Sequence, residues 1–152
     1  MQVKTLATAG DGRRTVAIVL DTGDEFLASL QKVVEDRGIE AASFTAIGAF
    51  ERMTLGYFEW DSKSYKDLPV DEQVEVAALV GNVGRQADGS AKLHAHCVVA
   101  TATGEARAGH VREAHVRPTL EIVLEESPAH LARRHDDETG LALIDLAASE
   151  SG

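Results

Sequence analysis

The chain is poor in cysteine, in aromatic residues and in long apolar segments. Its 152 residues include a single cysteine, Cys97, which excludes an internal disulfide. Aromatic residues make up only 5% of the composition, so valine, leucine, isoleucine and alanine have to fill the core. No apolar run approaches the length of a transmembrane helix, and we expect no secretory signal. These absences predict a soluble, cytoplasmic protein without membrane contact, with Cys97 as a buried, inert thiol.

Basic residues are also few relative to acidic ones. Lysine and arginine together number 15 against 25 aspartate and glutamate residues, which gives a formal net charge of −10. A chain with this charge repels a phosphate backbone at long range. The longest basic clusters, Arg13-Arg14 and Arg133-Arg134, contain two residues each. Direct binding of nucleic acid is therefore disfavoured, although a basic patch assembled in three dimensions stays open.

The spacing of apolar residues predicts one helix followed by many strands. Thr22-Gly23-Asp24-Glu25 matches a capping box, with Thr22 as the N-cap and Glu25 reaching back to it. Helical spacing of apolar residues then continues to a stop at Gly38, which predicts a helix over about residues 23–37. Alternating patterns and turn signals predict strands over residues 2–8, 14–20, 42–49, 53–60, 64–68, 73–82, 92–101, 106–111 and 116–125, with a last edge strand within 141–146. This order is typical of an α+β fold, and we expect residues 1–152 to form one domain.

Two histidines two residues apart, His94 and His96, are the most informative feature of the chain. Alternation along a strand puts both imidazoles on one face and Ala95 and Cys97 on the other. If residues 92–101 and 106–111 pair as a hairpin that folds near Thr103, His96 and His110 become cross-strand neighbours. Three imidazoles at one point form the ligand set of an open catalytic zinc site. The same residues could instead form hydrogen-bonded imidazoles that line a polar cleft.

Several other polar residues are candidates for a role near such a site. Glu75 and Glu121 are acidic residues inside apolar strands, and each is a candidate general base or partner of a histidine. Each could equally face solvent from one surface of the sheet. Asn82 could donate a hydrogen bond into a cleft or shape the end of a strand. The other histidines lie in polar, loop-like surroundings and are predicted to be surface residues: His115, His130 and His135.

An ordered set of motifs over roughly residues 13–146 resembles the plants-and-prokaryotes conserved (PPC) domain family in its stand-alone prokaryotic type. The motifs, in chain order, are Gly48-Ala49-Phe50, Leu55-Gly56-Tyr57-Phe58, Glu75-Val76 with Leu79-Val80-Gly81-Asn82-Val83, His94-Ala95-His96, Gly109-His110, and Val116-Arg117-Pro118-Thr119-Leu120-Glu121. The resemblance implies a mainly antiparallel central sheet and assembly as a homotrimer. The family fold is similar to that of acetolactate decarboxylase, which binds zinc through His-x-His and a later histidine. That parallel implies zinc ligation by His94, His96 and His110.

The chain departs from the family pattern at one position and lacks one associated motif. Ala108 stands where the family usually has the first of two glycines before the third histidine. In plants, PPC domains follow AT-hook motifs with an Arg-Gly-Arg core, which this chain does not contain. Two functions from different classes are therefore predicted. One is a homotrimeric metal protein, and if it is an enzyme, a metal-dependent lyase or hydrolase of small carbonyl compounds. The alternative is a DNA-binding or DNA-associated regulatory or interaction module that lacks an AT-hook and acts with a protein partner.

Overall fold

A computed structural model describes residues 1–127 and 131–149 of the chain. His130, which is predicted to be a surface residue, lies outside the described residues. One helix, α1 (Phe26–Asp36), lies between the second and third strands. The strands are β1 (Gln2–Thr8), β2 (Arg14–Asp21), β3 (Ala42–Glu59), β4 (Ser64–Val70), β5 (Val74–Arg85), β6 (Ala91–Ala100), β7 (Ala106–Glu126), β8 (Arg133–His135) and β9 (Ala142–Ile144).

Seven of the strands form one antiparallel sheet in the order β1-β2-β7-β6-β5-β3-β4. Strand β7 also pairs with β3, so the central part of the sheet closes on itself. Strands β8 and β9 form a separate two-stranded sheet. The prediction of an α+β fold with a mainly antiparallel sheet and one principal helix is confirmed. Within the described part of the chain, no helix is long and apolar enough to cross a membrane.

The core lies on the inner face of the closed sheet and under α1. Alternate residues of β2 and β7 are fully buried, as a strand with one face in the core requires. Helix α1 adds four buried side chains at helical spacing and contacts β6 and β7. Burial of each large apolar side chain contributes about 1.5–3 kcal/mol. The buried hydrophobic side chains of these three elements are Val16, Ile18, Leu20, Val111, Ala114, Val116, Leu120, Ile122, Leu124, Phe26, Leu30, Val33 and Val34.

The prediction that Thr22 caps the helix is wrong. The N-cap is Glu25, whose carboxylate accepts a hydrogen bond from the backbone N–H of Ala28 at 2.6 Å. Its other oxygen accepts from the backbone N–H of Ala114 at 3.1 Å, so one side chain joins the helix to β7. The Thr22 hydroxyl instead donates to the carbonyl of Pro118. Glu25 lies three residues after Thr22, and its carboxylate binds one of the free N–H groups at the start of the helix as well as an N–H group of β7.

Two pairs of predicted strands are each a single long strand. Strand β3 runs through residues 50–52 and β7 through residues 112–115, where the sequence pattern breaks. The β3–β7 pairing shifts register at three places in this region, between Gly48 and Phe50, Phe50 and Arg52, and Thr54 and Leu55. Such irregularities interrupt the alternation of side chains without ending the pairing. The predicted last edge strand is shorter than expected and pairs with β8, in a segment that has no strand pattern.

Candidate metal centre

Strands β6 and β7 bring three histidines to one place. His96 lies directly opposite His110 in the β6–β7 pairing, as the predicted hairpin requires. His94 precedes His96 by two residues on the same strand, and Ala95, Cys97 and Val99 are buried on the other face. The hairpin turn is short, because the N–H of Thr101 bonds the carbonyl of Glu105 and the N–H of Gly104 bonds that of Thr101. A short turn fixes the register and therefore the histidine pair.

The three imidazoles have the spacing that a single ion requires. One nitrogen from each histidine lies within 4.8 Å of the other two. The Nε2 atoms of His94 and His96 are 3.2 Å apart. A tetrahedral zinc ion with Zn–N bonds of about 2.0–2.1 Å holds two nitrogens roughly 3.3 Å apart. The cluster therefore fits zinc, although a hydrogen bond between two neutral imidazoles gives the same distance.

The surroundings keep two of the imidazoles neutral. Burial lowers the pKa of His110 from its ordinary value of 6.5 to about 4, with smaller contributions from His94 and His96. Burial also lowers the pKa of His94, and the positive charge of Arg133 adds to this effect. A neutral imidazole has a free lone pair, which is the form that binds a metal ion.

His110 is held by close packing of β7 against β3 and β4. Its ring stacks on Tyr65, with centroids 4.7 Å apart. A Cβ atom at the preceding Gly109 would lie 2.9 Å from the carbonyl oxygen of Gly56, so only glycine fits there. Ala108 is exposed opposite Val98, and the missing family glycine therefore causes no steric conflict. The buried Nδ1 atom of His110 has no hydrogen-bond partner in the part of the chain that the structure describes, and a bound ion would satisfy such an atom.

A cavity of about 430 Å³ lies beside the cluster. His94, His110 and Tyr65 line one side, and the residues Gly140–Leu143 at the start of β9 line another. His96 is exposed and is not part of the lining, so the three histidines lie between the cavity and the outer face of the sheet. A volume of this size is typical of a small-molecule site.

The cavity wall contains a residue that the sequence patterns did not identify, Arg133. It is 8% exposed and lies on β8. Its guanidinium donates to the side-chain oxygen of Asn82 at 2.5 Å and to the carbonyl of Ala142 at 2.9 Å. Asn82 lies opposite His94 in the β5–β6 pairing, and its side-chain oxygen accepts a hydrogen bond here, an interaction that neither of its two predicted roles included. Gly84 is the signal that could have indicated this contact, since a Cβ there would lie 2.9 Å from Arg133 Nε.

The structure places the other candidates away from the cluster. Glu75 and Glu121 are exposed on β5 and β7, and neither lines the cavity. Cys97 is buried, as predicted, and burial raises the pKa of its thiol to about 12, which disfavours the reactive thiolate. His135 is exposed as predicted. His115 is not a loop residue: it lies half-buried on β7 with its Nε2 2.7 Å from Glu113.

Comparison with known proteins identifies the family. The model of the Plants and Prokaryotes Conserved (PCC, also written PPC) domain matches residues 7–128. The chain belongs to the PPC domain family. A solved PPC protein from Pyrococcus horikoshii is 32% identical, with a TM-score of 0.81 over 87% of this chain and 91% of that one. A metal-containing protein from Archaeoglobus fulgidus is 31% identical, with a TM-score of 0.78 over 86% and 91% of the two chains.

Two further comparisons concern function and fold. A protein from Bacteroides thetaiotaomicron, assigned only provisionally to DNA binding, is 28% identical, with a TM-score of 0.82 over 93% of this chain and 96% of that one. The α-acetolactate decarboxylase of Bacillus subtilis is 14% identical, with a TM-score of 0.54 over 85% of this PPC chain and 59% of the enzyme. This likeness confirms the predicted similarity of fold and shows the fold alone. No functionally curated protein matches the sequence.

Proposed function

We propose that this PPC protein is a homotrimer and that each chain binds one divalent metal ion through His94, His96 and His110. Zinc is the metal that we expect. The observation that carries the proposal is the set of three imidazole nitrogens within 4.8 Å of one another. The metal-containing relative from Archaeoglobus fulgidus supports it. Three protein nitrogens leave one position of a tetrahedral ion for water or substrate.

The chemistry that zinc supplies in such a site is polarisation of a carbonyl or activation of water. We therefore assign the protein to the metal-dependent lyases or hydrolases of small carbonyl compounds. The residues of the chain contribute three imidazole ligands and a cavity in which a small molecule can lie beside them. Tyr65 fixes the His110 ring by stacking on it. Burial of His94 and His110 lowers the pKa of both imidazoles and so favours the metal over protons, because protonated imidazole does not bind metal.

An exposed apolar face supports the homotrimer. Val123, Thr45, Val80 and His96 are successive neighbours across β7, β3, β5 and β6. Val80 is 56% exposed and Val123 is 43% exposed. Ile47 and Val98 extend the same face and are also exposed. Exposed apolar side chains on neighbouring strands of one sheet face favour a protein contact, and a second copy of the chain is the partner that family membership favours. The face reaches His96, so assembly would cover one side of the histidine cluster.

The experiment is a zinc titration of metal-free, tag-free protein by isothermal calorimetry. We expect one zinc ion per chain for the wild type and loss of this binding in His110→Ala. His135→Ala is the matched control, because it removes an exposed histidine that lies outside the cluster, and it should bind zinc like the wild type. Equal zinc binding by all three proteins would overturn the assignment of the ligands.

Association with DNA is the second candidate, and it is favoured only by relatives such as the protein from Bacteroides thetaiotaomicron. The net charge of −10 opposes association with DNA. Three cationic residues, Lys92, Arg112 and Arg133, lie together, but they line the cavity beside the histidines. Fluorescence anisotropy with a duplex DNA at two salt concentrations tests it. Binding that weakens steeply with salt would support direct contact with DNA. No binding at low salt would leave the metal protein as the function.

A further inference from the structure

The cavity beside the histidine cluster is positively charged in a strongly acidic protein. The described residues of its lining include three cationic side chains, Lys92, Arg112 and Arg133, and no aspartate or glutamate. The rest of the chain has the opposite balance, with a formal net charge of −10. A charge distribution of this kind concentrates anions at one place, because the field of a cavity wall is screened less than that of an open surface.

Two of these three cations have no carboxylate partner in residues 1–127 and 131–149. Arg112 is paired with Asp67 at 3.3 Å and lies over the ring of Tyr65. Among the described residues, Arg133 is bound by the neutral oxygens of Asn82 and Ala142 alone, and its buried Nε atom has no partner. Lys92 is exposed at the cavity and forms no ion pair with any described residue. The cavity therefore carries two uncompensated positive charges, one deep and one near solvent.

Of these two charges, that of Arg133 is the more unfavourable for folding, because it is buried. Its pKa is lowered by burial, with no opposing contribution from a nearby carboxylate, yet a guanidinium stays charged in a protein. A guanidinium has five N–H donors, and Arg133 uses two of them in the contacts with Asn82 and Ala142. Gly84 allows this side chain to pack directly on β5, since any Cβ there would lie 2.9 Å from Nε. A bound anion would compensate a charge that the fold keeps buried and only partly satisfied.

We propose that the cavity binds a small dicarboxylate, with one carboxylate held by Arg133 and the other by Lys92, next to the three histidines. Two uncompensated charges match a dianion, and a cavity of about 430 Å³ has room for a chain of four or five carbons. The proposal names the ligand class of the proposed metal site and in that sense rests on the proposed function. The carboxylate contacts themselves involve no metal ligand, so they can be tested with and without zinc.

The test is calorimetric binding of a charge series to the full-length protein, both zinc-loaded and metal-free, with zinc content measured in every sample. The probes are succinate, its monoamide succinamate and its diamide succinamide, which have nearly the same shape and charges of −2, −1 and 0. We expect affinity to fall at each step, with a loss of about tenfold or more at the step that removes the carboxylate held by Arg133, because that contact is a charge-assisted hydrogen bond. Arg133→Gln should weaken succinate by about tenfold or more and leave succinamide unchanged. Lys92→Gln should have a smaller effect that fades with added salt, because Lys92 is exposed.

The matched control is Arg134→Gln, which removes the same charge from the next residue. Arg134 is 73% exposed in its side chain, pairs with Asp145 and does not line this cavity, so the variant should bind succinate like the wild type. Equal affinity for succinate and succinamide, or tighter binding of inorganic phosphate than of succinate, would overturn the proposal. If Arg133→Gln does not fold, the charge series on the wild type and on Lys92→Gln still decides. If no sample binds zinc, the proposed function fails, and the metal-free samples decide the carboxylate question alone.

Discussion

A methyl group added at Gly81 tests how closely the strand beside His94 packs on the core. Gly81 lies on β5, opposite Phe44 of β3 and Ala95 of β6. A Cβ atom there would lie 2.2 Å from Cζ of Phe44 and 2.5 Å from the carbonyl oxygen of His94. Ordinary contact begins at 3.4 Å, so the Phe44 ring and the backbone of β6 each have to move by about 1 Å.

Neither neighbour can move cheaply. Phe44 is 2% exposed and its ring packs edge-on against Phe26, and the His94 carbonyl belongs to the backbone of β6. Extra volume in a packed core costs about 1–3 kcal/mol, and a clash with both a ring and a backbone atom belongs at the upper end. We therefore expect Gly81→Ala to lower the free energy of unfolding by about 3 kcal/mol. For a chain of this length, that loss lowers the melting temperature by about 6–12 °C.

The assay is urea unfolding followed by circular dichroism, with zinc titration of the folded variant. The matched control is Gly10→Ala, because Gly10 has no atom within 4 Å of an added Cβ, and its stability should stay within about 0.5 kcal/mol of the wild type. Displacement of the His94 backbone should also weaken zinc binding in Gly81→Ala. A Gly81→Ala protein as stable as Gly10→Ala would refute the close packing of β3, β5 and β6 at this point.

Three other predictions concern the helix cap, pH and assembly. Glu25→Ala should lower the free energy of unfolding in urea by about 1–2 kcal/mol, since it removes the N-cap and a hydrogen bond to β7. Thr22→Ala should change the same quantity by less than about 0.5 kcal/mol. A larger loss in Thr22→Ala than in Glu25→Ala would contradict the assignment of Glu25 as the N-cap. The pKa of His110 is about 4 in the folded state against 6.5 ordinarily, so the unfolded state takes up its proton first as the pH falls. Metal-free protein should lose up to about 3 kcal/mol from pH 6.5 to 4 through this group, and an unchanged urea–pH profile in His110→Gln would refute that origin. The proposed trimer should dissociate to monomers in Val80→Glu, as measured by sedimentation velocity, while Leu6→Glu, at an equally exposed position on β1, should assemble like the wild type. A trimeric Val80→Glu would contradict the proposed interface.

Local patterns along the chain were sufficient to predict the histidine cluster geometry. Alternation on β6 separates His94 and His96 from the buried Ala95 and Cys97. The short turn at 101–105 then leaves one register for the hairpin, which puts His110 opposite His96. Both signals involve residues close together in the sequence, and the family resemblance names the same three histidines. Their role as metal ligands stays a prediction that the titration tests.

The features that the sequence did not reveal depend on contacts between distant segments. Arg133 reaches the cavity through Asn82, 51 residues earlier in the chain, and no periodicity connects the two. The helix cap was misplaced because Thr22 and Glu25 have the right spacing for a capping box, while the Glu25 carboxylate is drawn to the backbone of Ala114 on a distant strand. The long strands were divided in two because β-bulges shift the alternation without ending the pairing.

Metal binding by the three histidines is tested most simply by the metal content of protein purified without a histidine tag or chelator. Inductively coupled plasma mass spectrometry would be applied to the wild type and to the double variant His94→Ala/His96→Ala. We expect close to one zinc or other divalent ion per chain in the wild type and its loss in the variant. A wild type that contains no metal, and takes up none when zinc is added, would show that the three histidines are not a metal site.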